Sequence, residues 1–152
     1  MKYSNIRDLT LKRHEEHEGY EYNKGDFVAR GEAGMTRVTL YEILPGKSAY
    51  PYHYHLKNEE TFYIISGTGL LRSPEGERVV SAGDLLFFPA TAEGAHKLTN
   101  TSETEKLVYL DIGVMFDMDV CLYPDSGKIA VWGKDTNKLF RVEDNVPYFE
   151  GE

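Results

Sequence analysis

The sequence has few of the residues that would point to several common classes of protein. It contains a single cysteine, Cys121, so no disulfide can form within the chain. No run approaches the roughly 20 apolar residues of a membrane-spanning helix, and the first residues lack the apolar core of a secretory signal. A cytoplasmic location, away from membranes, is therefore expected.

Basic residues are also scarce. Lys and Arg number 17 against 25 Asp and Glu, which gives a net charge of −8. Nucleic acids and anionic membrane surfaces are bound through clustered Lys and Arg. The charge balance therefore predicts neither a nucleic acid nor a membrane as a partner.

What the sequence does contain is a series of short runs typical of strands. Runs rich in Val, Ile, Tyr, Phe and Thr are broken by turn residues at intervals of about 8–12 residues, and no long helical period is present. The pattern predicts an all-β domain, either a small antiparallel barrel or a sandwich. The 152 residues suit one domain. We expect its core at about residues 35–116, an N-terminal arm at 1–34 and a C-terminal tail at 117–152.

Two segments carry residues that could bind a metal ion. The first contains His53, His55 and Glu60, and the second contains His96. Because side chains on a strand alternate between faces, His53 and His55 share one face while Tyr54 points away. Three imidazoles and one carboxylate suit Fe, Mn, Ni, Cu or Zn. An octahedral ion would keep positions open for substrate, whereas a tetrahedral zinc would be closed and structural.

Other polar residues have both a functional and an ordinary interpretation. Cys121 lies among apolar residues and is expected to be a buried, inert thiol. Arg37 and Arg72 could reach the mouth of a barrel if the ligand is an acid, although exposure to solvent is the default. Asn100 could orient the site or simply end a strand. Tyrosines that could donate a hydrogen bond to a substrate, or only pack, are Tyr41, Tyr52, Tyr63 and Tyr109.

The spacing in the first segment resembles the first motif of the cupin family. Gly46 is followed after six residues by His53, and His55 comes two positions later. Glu60 follows after four more residues, and Gly67 after another six. The spacer behind Gly46 is one residue longer than in the usual motif.

The second segment resembles the second cupin motif. Gly83 is followed after five residues by Pro89, and His96 is followed after three residues by Asn100. The spacer between Pro89 and His96 is two residues longer than usual. With its flanking strands the resemblance extends over roughly residues 35–116.

The resemblance implies a double-stranded β-helix, the jelly-roll barrel of cupins. It also implies that one divalent transition metal ion, such as Mn, Fe, Ni or Zn, is bound by His53, His55, Glu60 and His96. Glu59 could replace its neighbour if the register slipped, but the spacing to the following glycine favours Glu60.

The same resemblance implies a metal-dependent enzyme with isomerase or dioxygenase chemistry on a small polar molecule, such as a sugar or organic acid. Glu59 and Tyr52 are the candidates for moving protons. The alternative is a non-catalytic module that binds a sugar or acid. A homodimer is expected, since cupins often pair through their sheets. A closer similarity, which includes residues 123–128, is to single-domain bacterial cupins, some of which are called sugar-phosphate isomerases.

Overall fold

The computed structural model describes the backbone of residues 1–152 and every side chain except that of residue 16. Strands and the turns between them make up nearly all of the described chain. In chain order the strands are β1 (Lys12–His17), β2 (Tyr20–Val28), β3 (Thr36–Ile43), β4 (Tyr54–His55), β5 (Glu59–Ser66), β6 (Thr68–Ser73), β7 (Gly76–Ser81), β8 (Leu85–Phe88), β9 (Lys97–Asn100), β10 (Leu107–Val114), β11 (Met118–Tyr123), β12 (Lys128–Gly133) and β13 (Asn137–Arg141). Short 3₁₀ turns lie at Ile6–Asp8, Ala92–Gly94 and Val142–Asp144.

The strands form two layers. In the described chain the first layer is a six-stranded antiparallel sheet in the order β1-β2-β3-β10-β5-β8. The second layer consists of the sheets β13-β12-β11-β4 and β7-β6-β9, which are joined by an antiparallel bridge between His53 and His96. From β3 to β11 the chain passes repeatedly from one layer to the other, as in a double-stranded β-helix. The predicted all-β jelly roll is confirmed.

The core lies between the layers because side chains alternate along each strand. On β5, Phe62 and Ile64 are buried, whereas Tyr63 between them is exposed. Leu71 and Leu98, from the second layer, belong to the same apolar cluster. Burial of one such side chain contributes about 1.5–3 kcal/mol. A cluster that continues from one layer to the other therefore holds the two layers together.

The turn between β5 and β6 depends on Gly67. Its φ is +86°, and a Cβ at this position would lie 2.4 Å from the carbonyl oxygen of Lys106. A residue with a side chain suits neither the backbone conformation nor the available space. Gly67 therefore allows the chain to leave the first layer and enter the second.

The segments expected to be an arm and a tail contain strands of both layers. β1 and β2 extend the first layer beyond β3. β11 pairs with β4, and β12 and β13 follow it in the second layer. The tail thereby brings Asp119 and Cys121 next to β4. Within the described part of the chain, a helix with the length and apolarity needed for a membrane crossing does not occur.

Candidate metal centre

Three histidines meet at a cavity of about 170 Å³. His53 immediately precedes β4, His55 ends β4, and His96 immediately precedes β9. The backbone N–H of His53 donates to the carbonyl oxygen of His96 at 3.1 Å, and the reverse bond measures 2.9 Å. Residues paired in this way place their side chains on the same face, and the two imidazole centroids lie 4.7 Å apart. Backbone pairing therefore brings the two motifs together.

The hydrogen bonds of His53 and His96 fix which ring nitrogen faces the cavity. Nδ1 of His53 donates to the carbonyl oxygen of Pro51 at 2.8 Å, and Nδ1 of His96 donates to that of Gly94 at 2.9 Å. A carbonyl oxygen can only accept, so each Nδ1 carries the proton and each Nε2 keeps its lone pair. Metal-binding histidines have this tautomer.

Asp119 of β11 orients the third histidine. Its Oδ2 accepts a hydrogen bond from Nδ1 of His55 at 2.5 Å, and its Oδ1 accepts from the backbone N–H groups of Lys57 and Asn58 at 2.9 and 3.3 Å. Burial by itself would raise the pKa of the Asp119 carboxyl, but these hydrogen bonds outweigh it and lower the pKa. Asp119 therefore remains ionised and leaves Nε2 of His55 free for another partner.

Glu60 of β5 completes the group from the opposite layer. Its Oε2 lies 3.5 Å from Nε2 of His55 and 3.5 Å from Nε2 of His96. Among the described atoms, Oε2 of Glu60 and Nε2 of His55 are buried without a hydrogen-bond partner. Donor atoms bound at about 2.1 Å to one ion lie about 3.0–3.5 Å apart. The donor atoms of His53, Glu60 and His96 lie within 4.8 Å of one another, so this triad could hold a divalent cation, whereas His55 meets that criterion together with His53 and Cys121.

Arg37 holds the other oxygen of Glu60. Its Nη2 donates to Oε1 of Glu60 at 2.9 Å and to Oδ2 of Asp111 at 2.5 Å. Gly113 on β10 lies opposite both Arg37 on β3 and Glu60 on β5. A Cβ on Gly113 would lie 3.3 Å from two guanidinium nitrogens, so the glycine leaves room for Arg37 to reach across β10. Only Oε2 of Glu60 then remains for the histidines.

The pKa values of the group favour a neutral imidazole at His53 and His96 but a protonated one at His55, whose extra proton a bound cation would have to displace. Burial lowers the pKa of His53 to about 3, and the neighbouring His96 adds to this effect. Burial likewise lowers the pKa of His96. At His55 burial acts in the same direction but is outweighed by Asp119 and Glu60, which raise the pKa to about 9. Burial would raise the pKa of Glu60, but His55 and the other positive neighbours outweigh it and lower the pKa.

A second buried carboxyl, Asp111 of β10, lines the same cavity. Burial raises its pKa to about 7, and the negative charge of Glu60 adds to this, whereas Arg37 opposes it. Its Oδ1 has no hydrogen-bond partner among the described atoms. A carboxyl with such a pKa can both release and accept a proton near neutral pH.

The two residues expected to move protons lie elsewhere. Glu59 is on the exposed face of β5, because neighbouring residues of a strand point to opposite sides. Tyr52 is buried, and the guanidinium of Arg72 lies 4.0 Å from the centre of its ring. Arg72 itself pairs with Asp125 at 2.6 and 2.8 Å. The described residues that line the cavity include neither Glu59 nor Tyr52.

The remaining predicted residues are mostly structural. Tyr41 lines the cavity, and its hydroxyl lies 3.1 Å from that of Tyr50. Tyr109 stacks on Tyr41 within the core, whereas Tyr63 is exposed. Asn100 donates hydrogen bonds to two backbone carbonyls at 2.9 and 2.8 Å and so supports a turn behind the site.

Two residues around the cavity, Asp111 and Asp119, do not follow from the sequence analysis. Arg37 lies at the cavity, which is the functional one of its two interpretations, and Cys121, expected to be a buried, inert thiol, is buried. Burial raises the pKa of Cys121 to about 12, but the side chain also lines the cavity. Alternation on β11 indicates that Asp119 and Cys121 share a face. It does not indicate that this face meets β4, because strand pairing over such a distance depends on the whole fold.

Comparison with known proteins defines the class of this fold and site. The family model described as Cupin domain matches residues 39–113, which run from β3 to β10 and include all four proposed metal ligands. The chain belongs to the cupin superfamily. None of the curated proteins matches the chain.

Solved structures agree over most of the chain. A proposed sugar phosphate isomerase from Acidithiobacillus ferrooxidans has 28% sequence identity and a TM-score of 0.81, with 95% of each chain covered. A sugar phosphate isomerase of the cupin superfamily from Silicibacter pomeroyi has 18% identity and a TM-score of 0.81, with 92% of each chain covered. The polyketide cyclase RemF from Streptomyces resistomycificus has 21% identity and a TM-score of 0.64, over 76% of this chain and 80% of that one.

Proposed function

We propose that the protein is a metal-dependent isomerase of a small sugar or organic acid, with a metal ion held by His53, His55, Glu60 and His96. The observation that supports this most directly is the shared orientation of the rings. Nδ1 of each histidine has an acceptor from the protein, and the free Nε2 of His55 and His96 lies 3.5 Å from the unpartnered oxygen of Glu60. Mn, Fe, Ni and Zn all accept imidazole and carboxylate ligands.

A bound divalent ion would polarise an oxygen of the substrate as a Lewis acid. The residues of the chain supply the rest of the reaction. Asp111 lines the cavity with a free carboxyl oxygen, and we assign it the transfer of a proton between neighbouring carbons of the substrate. Arg37 holds Oδ2 of Asp111 at 2.5 Å and thereby fixes its orientation.

The size of the cavity favours a small substrate or one end of a longer one. About 170 Å³ is below the usual range of about 300–1,000 Å³ for sites that enclose a drug-sized ligand. Polar groups at its base and aromatic walls such as Tyr41 and Trp132 suit a hydroxylated molecule. The similarity to the proposed sugar phosphate isomerase from Acidithiobacillus ferrooxidans supports a sugar as the first class to test.

The experiment begins with elemental analysis of the purified protein and of the protein loaded separately with Mn²⁺, Fe²⁺, Ni²⁺ or Zn²⁺. We expect about one ion per chain in the wild type and loss of that ion in His55→Ala. His17→Ala is the matched control, because His17 is exposed and lies on β1, away from the cavity. Retention of the metal in His55→Ala, or no metal in the wild type, would overturn the assignment.

Activity is then measured by NMR on the loaded protein with a panel of sugars, sugar phosphates and hydroxy acids. Isomerisation that disappears on chelation supports the proposal. The alternative is a non-catalytic binding module, which is favoured by the ion pair of Arg37 and Asp111, because a carboxylate held by a guanidinium is a weaker base. A thermal shift caused by a ligand, without any turnover in the panel, would establish that alternative.

We also propose that the protein forms a homodimer through the outer face of the first layer. Tyr63 pairs directly with Leu85, and Thr61 pairs with both Phe87 and Ile112. Paired residues share a face, so the apolar side chains of these three strands form one patch on which Leu85 and Phe87 are 71% and 61% exposed. A patch of this kind marks an interaction surface, and two identical patches complement each other across a twofold axis.

A further inference from the structure

We propose that the cavity contains a second, overlapping metal site, formed by His53, His55 and Cys121, which takes a soft thiophilic cation such as Cd²⁺. The donor atoms of these three residues all lie within 4.8 Å of one another. The first site uses the carboxylate of Glu60, whereas the second uses the sulfur of Cys121. The inference requires only that the cavity binds metals and is independent of any reaction that takes place there.

Strand pairing places the sulfur next to a histidine. Cys121 on β11 is the direct antiparallel partner of His55 on β4. Directly opposite residues project from the same face with their Cβ atoms about 4.5–5.5 Å apart. The side chain of Cys121 therefore enters the cavity from the wall that carries His55, and both residues line it.

The second site would bind the cation through Nε2 of each of its two histidines, with the extra proton of His55 displaced to the buffer. Asp119 occupies Nδ1 of His55, and the carbonyl of Pro51 occupies Nδ1 of His53. Nε2 of His55 is buried without a hydrogen-bond partner among the described atoms. Glu60 gives independent support for a cation in the cavity. Its side chain is only 9% exposed, and its Oε2 has no hydrogen-bond partner among the described atoms.

The chemistry of the donors separates the two sites. A soft cation prefers a thiolate, whereas Mn²⁺ prefers oxygen and imidazole donors. When Cd²⁺ binds, the thiol of Cys121 releases its proton to the buffer, and a sulfur–cadmium bond forms. The two sites share His53 and His55, so one cation at a time fits, and a soft ion displaces Mn²⁺.

The test compares Cd²⁺ and Mn²⁺ binding in the wild type, Cys121→Ser and His96→Ala. Thiolate ligation to Cd²⁺ produces an ultraviolet charge-transfer band, and Mn²⁺ binding removes the paramagnetic resonance signal of the free ion. We expect the Cd²⁺ band in the wild type and in His96→Ala, and its complete loss in Cys121→Ser. Mn²⁺ binding should show the opposite pattern, being retained in Cys121→Ser and weakened in His96→Ala.

Cadmium NMR of the wild-type complex provides a measurement that needs no substitution, since sulfur ligation shifts the resonance strongly downfield. A wild-type complex with neither the band nor the shift would overturn the second site. If that protein still bound Mn²⁺, the proposed function would stand. If it bound neither ion, the first site would fail as well, so the two failures can be distinguished.

Discussion

Each histidine of the cavity has one ring nitrogen engaged by the protein, by two backbone carbonyls and one carboxylate. These acceptors come from the residues that precede His53 and His96 and from Asp119 on a distant strand. The tautomers of His53 and His96 are therefore set before any ion arrives, and Asp119 holds the Nδ1 proton of His55. Because the ligand side chains are already oriented, little conformational entropy is lost when a cation binds. Orienting the ligands is the usual role of residues that hydrogen-bond to them.

The role of Asp119 can be tested by Asp119→Asn. The oxygen of the new amide can still accept from Lys57 and Asn58, but its NH₂ group then faces Nδ1 of His55. Two donors cannot face each other, so the proton of His55 moves to Nε2 and blocks the cation. We expect about a 10–100-fold loss of Mn²⁺ or Zn²⁺ affinity by calorimetry.

The matched control for this change is Asp117→Asn, which alters an exposed carboxylate two positions away on the same segment. Its metal affinity should equal that of the wild type. Chemical denaturation of both variants separates loss of binding from loss of folding. Equal metal affinity in a folded Asp119→Asn variant would show that the carboxylate does not set the tautomer.

At this scale the sequence predicted part of the site. The alternation of His53 and His55, and the common face of Glu60 with the apolar residues of β5, follow from strand geometry alone. Arg37 follows the same rule, because positions 37, 39 and 41 lie on one face of β3 and Thr39 and Tyr41 are buried. A charged side chain is expected to be exposed unless an ion-pair partner is known. The partner of Arg37 is Asp111 on β10, and the sequence alone does not show that these two residues meet.

At the scale of elements, the site depends on one irregular connection, the segment between β8 and the pairing position of His96. It is two residues longer than the usual motif, and a 3₁₀ turn at Ala92–Gly94 takes up the extra length. Gly94 is buried there and packs against Pro89. A Cβ on Gly94 would lie 2.0 Å from the carbonyl oxygen of Pro89 and 3.0 Å from its carbonyl carbon.

Gly94→Ala therefore forces the two ends of this connection apart. The carbonyl that accepts from Nδ1 of His96 belongs to Gly94 itself, so the imidazole should lose its orientation along with the turn. We expect a loss of stability of about 1–3 kcal/mol in chemical denaturation and a weaker affinity for Mn²⁺ by calorimetry.

Gly133→Ala on β12 is the control, since its Cβ would meet only ordinary contacts at 3.6 Å and beyond. We expect it to change the free energy of unfolding by less than about 1 kcal/mol and to leave metal affinity unchanged. If Gly94→Ala were as stable as this control and bound metal equally well, the close packing on Pro89 would not constrain the site.

The boundaries of the elements show where sequence reasoning stops. The strands within residues 35–116 are marked by their own turns, as at Gly67 and Gly83. Two strands form because neighbours supply their hydrogen bonds. The charged segment Lys12–His17 pairs with β2, and the tail strand Met118–Tyr123 pairs with β12 and β4. Such pairing depends on tertiary context more than on local preference.

At the scale of the whole molecule, each layer is completed by one end of the chain. β1 and β2 from the N-terminal segment widen the first layer, and β11 to β13 from the C-terminal segment are three of the seven strands of the second. The cavity therefore takes residues from β3, β5, β10 and β11 as well as from the two histidine segments. Removing residues 117–152 should remove Asp119 and one wall of the site together, because the tail is part of the barrel.

The outer face of the first layer carries exposed apolar side chains on three neighbouring strands, as the proposed dimer requires. β8 is the edge strand of that layer, and its Leu85 and Phe87 carry the most exposed side chains of the patch. The single chain has a net charge of −8, so association has to overcome electrostatic repulsion. Burial of the apolar side chains on this outer face would stabilise the proposed dimer against that repulsion. Added salt should strengthen the association, because it screens the charges.

Phe87→Asp tests this interface. A carboxylate at position 87 would be buried between the two facing patches, where burial of an unpaired charge is costly. The variant should therefore be monomeric by light scattering, whereas the wild type should have twice the monomer mass. Leu139→Asp on β13 is the control, because Leu139 is 51% exposed on the other layer. If Phe87→Asp remained a dimer and Leu139→Asp became a monomer, the interface would lie on the second layer. A monomeric wild type would exclude the dimer. Metal content should be the same in both variants, since neither residue lines the cavity.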